Sequence, residues 1–394
     1  MLFSRFSAAV SANVQRHAVC SLLRRCISTQ LERWQRRCDR LTQLQRKIRF
    51  PRPEVFNVDG QTYELPLPPV KQVRSPSQEE LEYLAGFFDG DGCVTMTQRT
   101  GQLFLQIGQN IDSSEVLLHF RSLLGGSVRY QSASTGSNKA MLQWRLGGSK
   151  MSHAAATLSR VPSMKQAQLF IAAKGTVAGT ERAQVQQKLK ELKQKQHVRD
   201  GWAGSLWAYF AGFFDAEGAI LVVPTYPSLR LEVQQVNPCV LAHLLPFLHQ
   251  NKLKAWRLYH KHSISTLACS NLQDCKRTLE LLLKNGLLVK RKQAELALTL
   301  TVENHLQVRD AISSLKGWQG RYRRLDSQGI ARAREICTLR DKLRCMSGAD
   351  HALLQSQLEQ LCADHALQKL ITHCNLVRKD MRQSLRQGGA VFSS

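Results

Sequence analysis

Residues 84–92 read LAGFFDGDG and residues 210–218 read FAGFFDAEG. Six of the nine positions are identical, Tyr83 and Tyr209 extend the match upstream, and the copies lie 126 residues apart. Further along, LFLQIGQ ending at Gln109 and LRLEVQQ ending at Gln235 keep the same spacing, and Lys165-Gln166-Ala167 recurs as Lys292-Gln293-Ala294 at 127. Three landmarks at nearly one interval mark a duplicated unit.

Each copy carries the same pattern of elements. In the first, an apolar helix ends in the acidic motif and strands are predicted at Cys93–Thr97 and Leu103–Gln109. A helix over Ser114–Leu124 is broken by Gly125-Gly126, and strands follow at Val128–Ser132 and Met141–Leu146, then helical segments to Ala173. The second copy repeats this over Leu206–Asn304. The strands alternate as half-buried strands do: Leu229, Leu231 and Val233 share one face, Arg230, Glu232 and Gln234 the other. On this basis the open faces carry Gln106, Arg129, Gln143 and Arg145 in the first copy and Arg230, Gln234, Arg257 and Lys261 in the second. Arginine and glutamine suit the edges of guanine and adenine, so these eight are candidate nucleic-acid contacts.

The motif has a physical reading of its own. Helices that cross closely need small residues at the contact, and Ala85-Gly86 and Ala211-Gly212 supply them, with Phe88 and Phe214 packing alongside. Two such helices paired about a pseudo-twofold axis would bring Asp91 and Glu217 together at their C-terminal ends, where the helix dipoles add to the attraction for a cation. Paired carboxylates on a basic chain suit Mg²⁺, which takes oxygen ligands and keeps water and phosphate oxygens, and metals so held serve phosphodiester hydrolysis. Asp89 and Asp215 are read as structural, capping backbone amides or orienting the helices.

Over residues 78–304 the doubled motif resembles the LAGLIDADG homing endonucleases in their single-chain, two-motif form. The resemblance implies an α+β fold of two pseudo-symmetric αββαββα repeats, each laying its sheet in a DNA major groove. It implies that Asp91 and Glu217 bind the divalent metals, that Gln109 and Gln235 support the metal-bound water, and that Lys290 assists at the cleaved strand. By the match between the KQA segments, Ser163 stands in the first copy where Lys290 stands in the second. With both copies in one chain, a monomer with an internal pseudo-twofold is expected.

The remainder frames this core. The 394 residues carry 55 Lys and Arg against 30 Asp and Glu, a formal charge of +25 that favours a polyanionic partner. Double-stranded DNA is the expected partner. Organellar intron RNA, as for a splicing factor, and ribosomal RNA, as for a structural mitoribosomal protein, are the alternatives. The eleven cysteines include no CxxC pair, which argues against zinc knuckles. No apolar run approaches the roughly 18 to 20 residues of a membrane span, so no membrane association is expected. Residues 1–30 are arginine-bearing and free of acids, as in an organelle transit peptide, with a mitochondrion as first choice and a plastid as second. Residues 31–77 form a basic, then proline-rich extension; 78–174 and 205–304 are the repeats; 175–204 is a charged, helical linker; and 305–394 is a basic helical C-terminal extension.

Overall fold

The computed structural model describes residues 29–70, 72–136, 138–194, 206–315, 322, 324–347, 349–386 and 391–392. The expected organelle address lies outside the described residues except for Thr29 and Gln30, and so does the end of the linker, 195–205. The chain divides into two compact units. One comprises 1–51, 135–138 and 316–394, and the other 52–134 and 139–315. Both repeats, apart from 135–138, and the linker helix fall in the second.

The first unit opens with helix α1 over residues 29–46 and strand β1 (Ile48–Arg49). The second opens with a hairpin, β2 (Val55–Val58) and β3 (Gln61–Glu64), in the proline-rich stretch that the sequence reads only as extended.

The first repeat runs α2 (Gln78–Asp91), β4 (Gly92–Met96), β5 (Leu103–Asn110), α3 (Glu115–Leu124), β6 (Ser127–Ser132), β7 (Met141–Gly147), α4 (Ser149–Leu158) and α5 (Gln166–Ala173). Helix α6 (Arg182–Gln194) follows in the linker. The second repeat gives α7 (Trp207–Glu217), β8 (Gly218–Val222), β9 (Leu229–Gln235), α8 (Cys239–Gln250), β10 (Arg257–Lys261), β11 (Ile264–Cys269), α9 (Leu272–Lys284) and α10 (Arg291–Leu298). The predicted αββαββα order holds in both, the last helical stretch being split in two. Helix α11 (His305–Leu315) still belongs to this unit, so the core runs past the expected boundary at 304.

Helix α2 starts where Ser77 and Glu80 form a reciprocal cap: the Ser77 hydroxyl accepts from the Glu80 amide, and the Glu80 carboxylate from the Ser77 amide. It ends at Gly92, and α7 ends in the same way at Gly218. A Cβ on either glycine would press into the ring of Phe88 or Phe214, so the motif's final glycine lets the chain turn over that ring into the first strand.

Each repeat builds one antiparallel four-stranded sheet, β4-β5-β7-β6 and β8-β9-β11-β10. One face of each is buried. Leu103, Leu105, Ile107, Leu142 and Trp144 line it in the first sheet, and Leu229, Leu231, Val233 and Leu267 in the second. The core continues through Phe87, Phe88, Phe213 and Phe214 of α2 and α7, which have no exposed surface. Burying an aromatic or large aliphatic side chain of this kind contributes about 1.5–3 kcal/mol.

The first unit is completed by α12 (Ser327–Cys345), α13 (Ala349–Arg386) and β12 (Val391–Phe392), which pairs antiparallel with β1. Its own small core contains Ile48, Tyr322, Val377 and Met381. No helix among the described residues is long and apolar enough to cross a membrane.

Candidate metal centre and nucleic-acid interface

Helices α2 and α7 meet backbone to backbone. A Cβ on Gly86 would run into the carbonyl oxygen of Tyr209, and one on Gly212 into that of Tyr83. The reciprocity is the pseudo-twofold axis seen at atomic scale, and it is why the motif needs glycine there. Toward the C-terminal ends, a Cβ on Gly90 would press into Ala216 Cβ and lie 3.1 Å from Glu217 Cγ. The two helix ends therefore touch.

The first acid of each motif is buried and structural, as the sequence predicts. Asp89 accepts from the backbone amides of Met164 (2.7 Å) and Lys165 (3.0 Å), and from the hydroxyl of Tyr209 on the opposite helix (2.6 Å). Asp215 accepts from the amides of Leu288 (2.6 Å), Val289 (3.0 Å) and Lys290 (2.7 Å), and from the Tyr83 hydroxyl (2.8 Å). Burial pushes both carboxyls up, opposed by these bonds and by the neighbouring Lys165 and Lys290 ammoniums. Burial also holds Tyr83 and Tyr209 protonated well above the usual phenol range, so each remains a donor. The tyrosines appear in the sequence only as an extension of the repeat, with no sign that each crosses to the other copy.

The last acid of each motif is the final residue of its helix: Asp91 in α2 and Glu217 in α7. Both are half-buried. The Gln109 side-chain amide donates to the Asp91 carboxylate. Burial first, and the Glu217 carboxylate next, push the Asp91 carboxyl up to about 6, against the pull of Lys290, Gln109 and Lys165. Gln235 ends β9 opposite Ser265, at the position in its repeat that Gln109 approaches in the first.

The pairing of Ser163 with Lys290 is corrected by the structure. Lys290 immediately precedes α10, gives its amide to Asp215 and sends its ammonium to the Asp215 carbonyl. The residue that does the same in the first repeat is Lys165. It immediately precedes α5 and gives its amide to Asp89, and its ammonium donates to the carbonyls of Phe88 (2.9 Å), Gly90 (3.1 Å) and Gly92 (2.6 Å). Ser163 lies buried in the preceding turn. Matching the KQA letters misplaces the register by two residues, because the helix start and the aspartate set it. A lysine is therefore present in both repeats. Burial pulls both ammoniums down, while Asp91 and Glu217, among other groups, pull both up. Each lysine also neutralises the negative end of its neighbouring helix.

The eight strand residues expected on the open faces all lie there. In the first sheet Cys93, Gln106, Arg145 and Ser127 form one row across four strands, with Gly108, Gln143 and Arg129 in the next. In the second, Ala219, Glu232, Ala268 and Arg257 form the matching row, and Gln234, Thr266 and Tyr259 its neighbour. Lys261 pairs with Ile264 beyond them. The Arg145 guanidinium stacks 3.6 Å from the Phe104 ring centroid, Arg230 pairs with Glu232, and Arg257 donates to the Trp256 carbonyl at 2.9 Å. One contact was not foreseen: the linker helix brings the Lys193 ammonium 3.3 Å from the Cys93 thiol, onto the open face of the first sheet.

The donor set fits a hard divalent cation. The described residues contain no group of three or more His, Cys, Asp or Glu side chains arranged to hold a metal. The two carboxylates would leave most of a cation's coordination to water and phosphate oxygens, as Mg²⁺ favours.

No family model and no curated protein matches the chain. Among solved structures it is similar to the LAGLIDADG homing endonuclease I-GzeII in complex with its DNA target, at 14% identity and a TM-score of 0.45, over 62% of this chain and 97% of that one. I-SmaMI bound to uncleaved DNA in the presence of calcium ions is similar at 13% identity and a TM-score of 0.44, over 60% and 97%. The LAGLIDADG meganuclease I-CpaMI bound to uncleaved DNA follows at 16% and 0.41, over 59% and 92%. With a doubled motif forming the central helix pair and one four-stranded sheet from each repeat, the chain has an α+β fold of two αββαββα repeats, and its doubled motif resembles that of the LAGLIDADG homing endonucleases in their single-chain form.

Proposed function

We propose that the protein is a site-specific endonuclease that hydrolyses phosphodiester bonds of double-stranded DNA with Mg²⁺ held by Asp91 and Glu217. The observation that carries this reading is the contact between the ends of α2 and α7, which brings Glu217 near enough for its carboxylate to help push the Asp91 carboxyl up. A structural basic protein has no need to hold two acids in mutual repulsion at a half-buried position. Divalent cations bound there would supply Lewis-acid stabilisation of charge on the phosphate and a nucleophilic water.

The chain's own residues take the remaining roles. Gln109 fixes the orientation of the Asp91 carboxylate, and Gln235 ends the corresponding strand of the other repeat. Lys165 and Lys290 place one positive charge each beside the acid pair, one for each strand of the duplex. Arg129, Arg145, Arg230, Arg257 and Lys261 on the open faces neutralise phosphates or reach base edges, with Gln106, Gln143 and Gln234 among them. Delivery to a mitochondrion by residues 1–30 belongs to the same reading, and a fluorescent fusion of that segment that stays cytosolic would remove it.

The test is cleavage of organelle DNA by the purified chain with Mg²⁺, compared with D91N/E217Q. Cutting should fall by several orders of magnitude in the double variant. Binding in Ca²⁺ should survive, because phosphate neutralisation supplies most of the affinity. Tight binding without metal-dependent cutting by the wild type, together with splicing support retained by the double variant, would replace the endonuclease with an intron-RNA splicing factor.

A further inference from the structure

The smaller unit carries a charged face that the endonuclease reading leaves unused. Helix α1 is amphipathic about its own neighbours. Cys38 lies 3.5 Å from His373 Nδ1, Gln45 donates to the Tyr322 hydroxyl at 2.7 Å, and Leu41 packs against the core of Ile48, Val377 and Met381. These residues recur every three or four positions and fix the inward face. Arg33, Arg37 and Arg40, at i, i+4 and i+7, lie along a flank of the opposite side with Arg36 beside them, and all four are exposed. None of the four has an ion pair among the described residues; Arg37 instead stacks 4.9 Å from the Trp34 ring centroid. The nearby acid Asp39 is bonded to Gln35.

We propose that this face of α1 is a second contact for the phosphodiester backbone of nucleic acid, separate from the two sheets. Seven residues of helix span about 10 Å, and a duplex carries one charge per roughly 1.7 Å of axis. The four guanidiniums therefore face several phosphates at once. Guanidinium is the group whose fork matches a phosphate and whose weak hydration makes that contact favourable. A lipid surface would want a large apolar face exposed beside the charge; on α1 Leu44 is exposed beside the arginines, while Cys38 and Leu41 face the core.

The experiment uses the full chain and R33Q/R36Q/R37Q/R40Q, with folding checked by circular dichroism and melting. Affinity for a labelled 40-base-pair duplex of arbitrary sequence and for a stem-loop RNA is measured between about 50 and 200 mM salt. The expected result, on one or both probes, is a salt slope shallower by about 2 to 4 and affinity about tenfold or more lower at intermediate salt. The probe that responds identifies the nucleic acid. R129Q/R145Q on the first sheet is run in parallel. If it leaves binding unchanged while the α1 variant weakens it, the sheet interface fails and this proposal stands. Slopes unchanged on both probes in a folded α1 variant would overturn it.

Discussion

Asp91 is held where a carboxylate is poorly solvated and faces another, and its carboxyl is pushed up from 3.8 to about 6. Because the folded value lies above the ordinary one, ionising Asp91 costs stability as pH rises through about 6, and this cost is absent below about 4. Asp91→Asn should therefore raise the melting temperature of the metal-free protein at pH 8. The gain should be on the order of 1 kcal/mol after allowance for solvent screening, and should vanish by pH 4. A gain that persists at pH 4, or a loss at pH 8, would contradict the strained pair. The closeness of Gln109 to Asp91 was legible in the sequence because the duplication repeats both positions at one interval, whereas Gln235 and Glu217 share that interval with no bond between them among the described contacts. Lys165 was not legible, since its register depends on a hydrogen bond to Asp89 made across 76 positions, and the adjacent letters pointed to Ser163.

Among the elements, the contact between α2 and α7 depends on the missing side chains of Gly86 and Gly212. Gly86→Ala places a methyl against the Tyr209 backbone, which cannot move without displacing α7. The variant should lose about 3 kcal/mol or fail to accumulate as folded protein. Gly179→Ala, with open space around the added carbon, should unfold like the wild type. Equal denaturant midpoints for the two variants would show that the helices do not meet as described. Strands and helices of both repeats were legible because alternation and helical spacing follow directly from which face is buried. The β2–β3 hairpin was not, because the prolines around it dominate the local signal.

For the molecule as a whole, Lys165 and Lys290 make the two halves more alike than the letters suggest. In a strand-resolved time course the wild type should cut both strands at similar rates. Lys165→Ala and Lys290→Ala should each slow a different strand by about 10²- to 10³-fold, if each stabilises developing charge. Slowing of the same strand by both, or of neither, would remove that role. The pairing of β1 with β12 joins sequence near residue 48 to residue 392, a long-range contact that no local pattern announces. The crossed bonds of Tyr83 to Asp215 and Tyr209 to Asp89 have a consequence for how the chain becomes one object. Each half holds an acid that the other half's phenol completes, and each half alone would leave that buried bond unmade. Cut within the linker, the halves should remain incomplete apart and regain a single cooperative unfolding transition when mixed, which makes this protein a natural pair of split-reporter fragments.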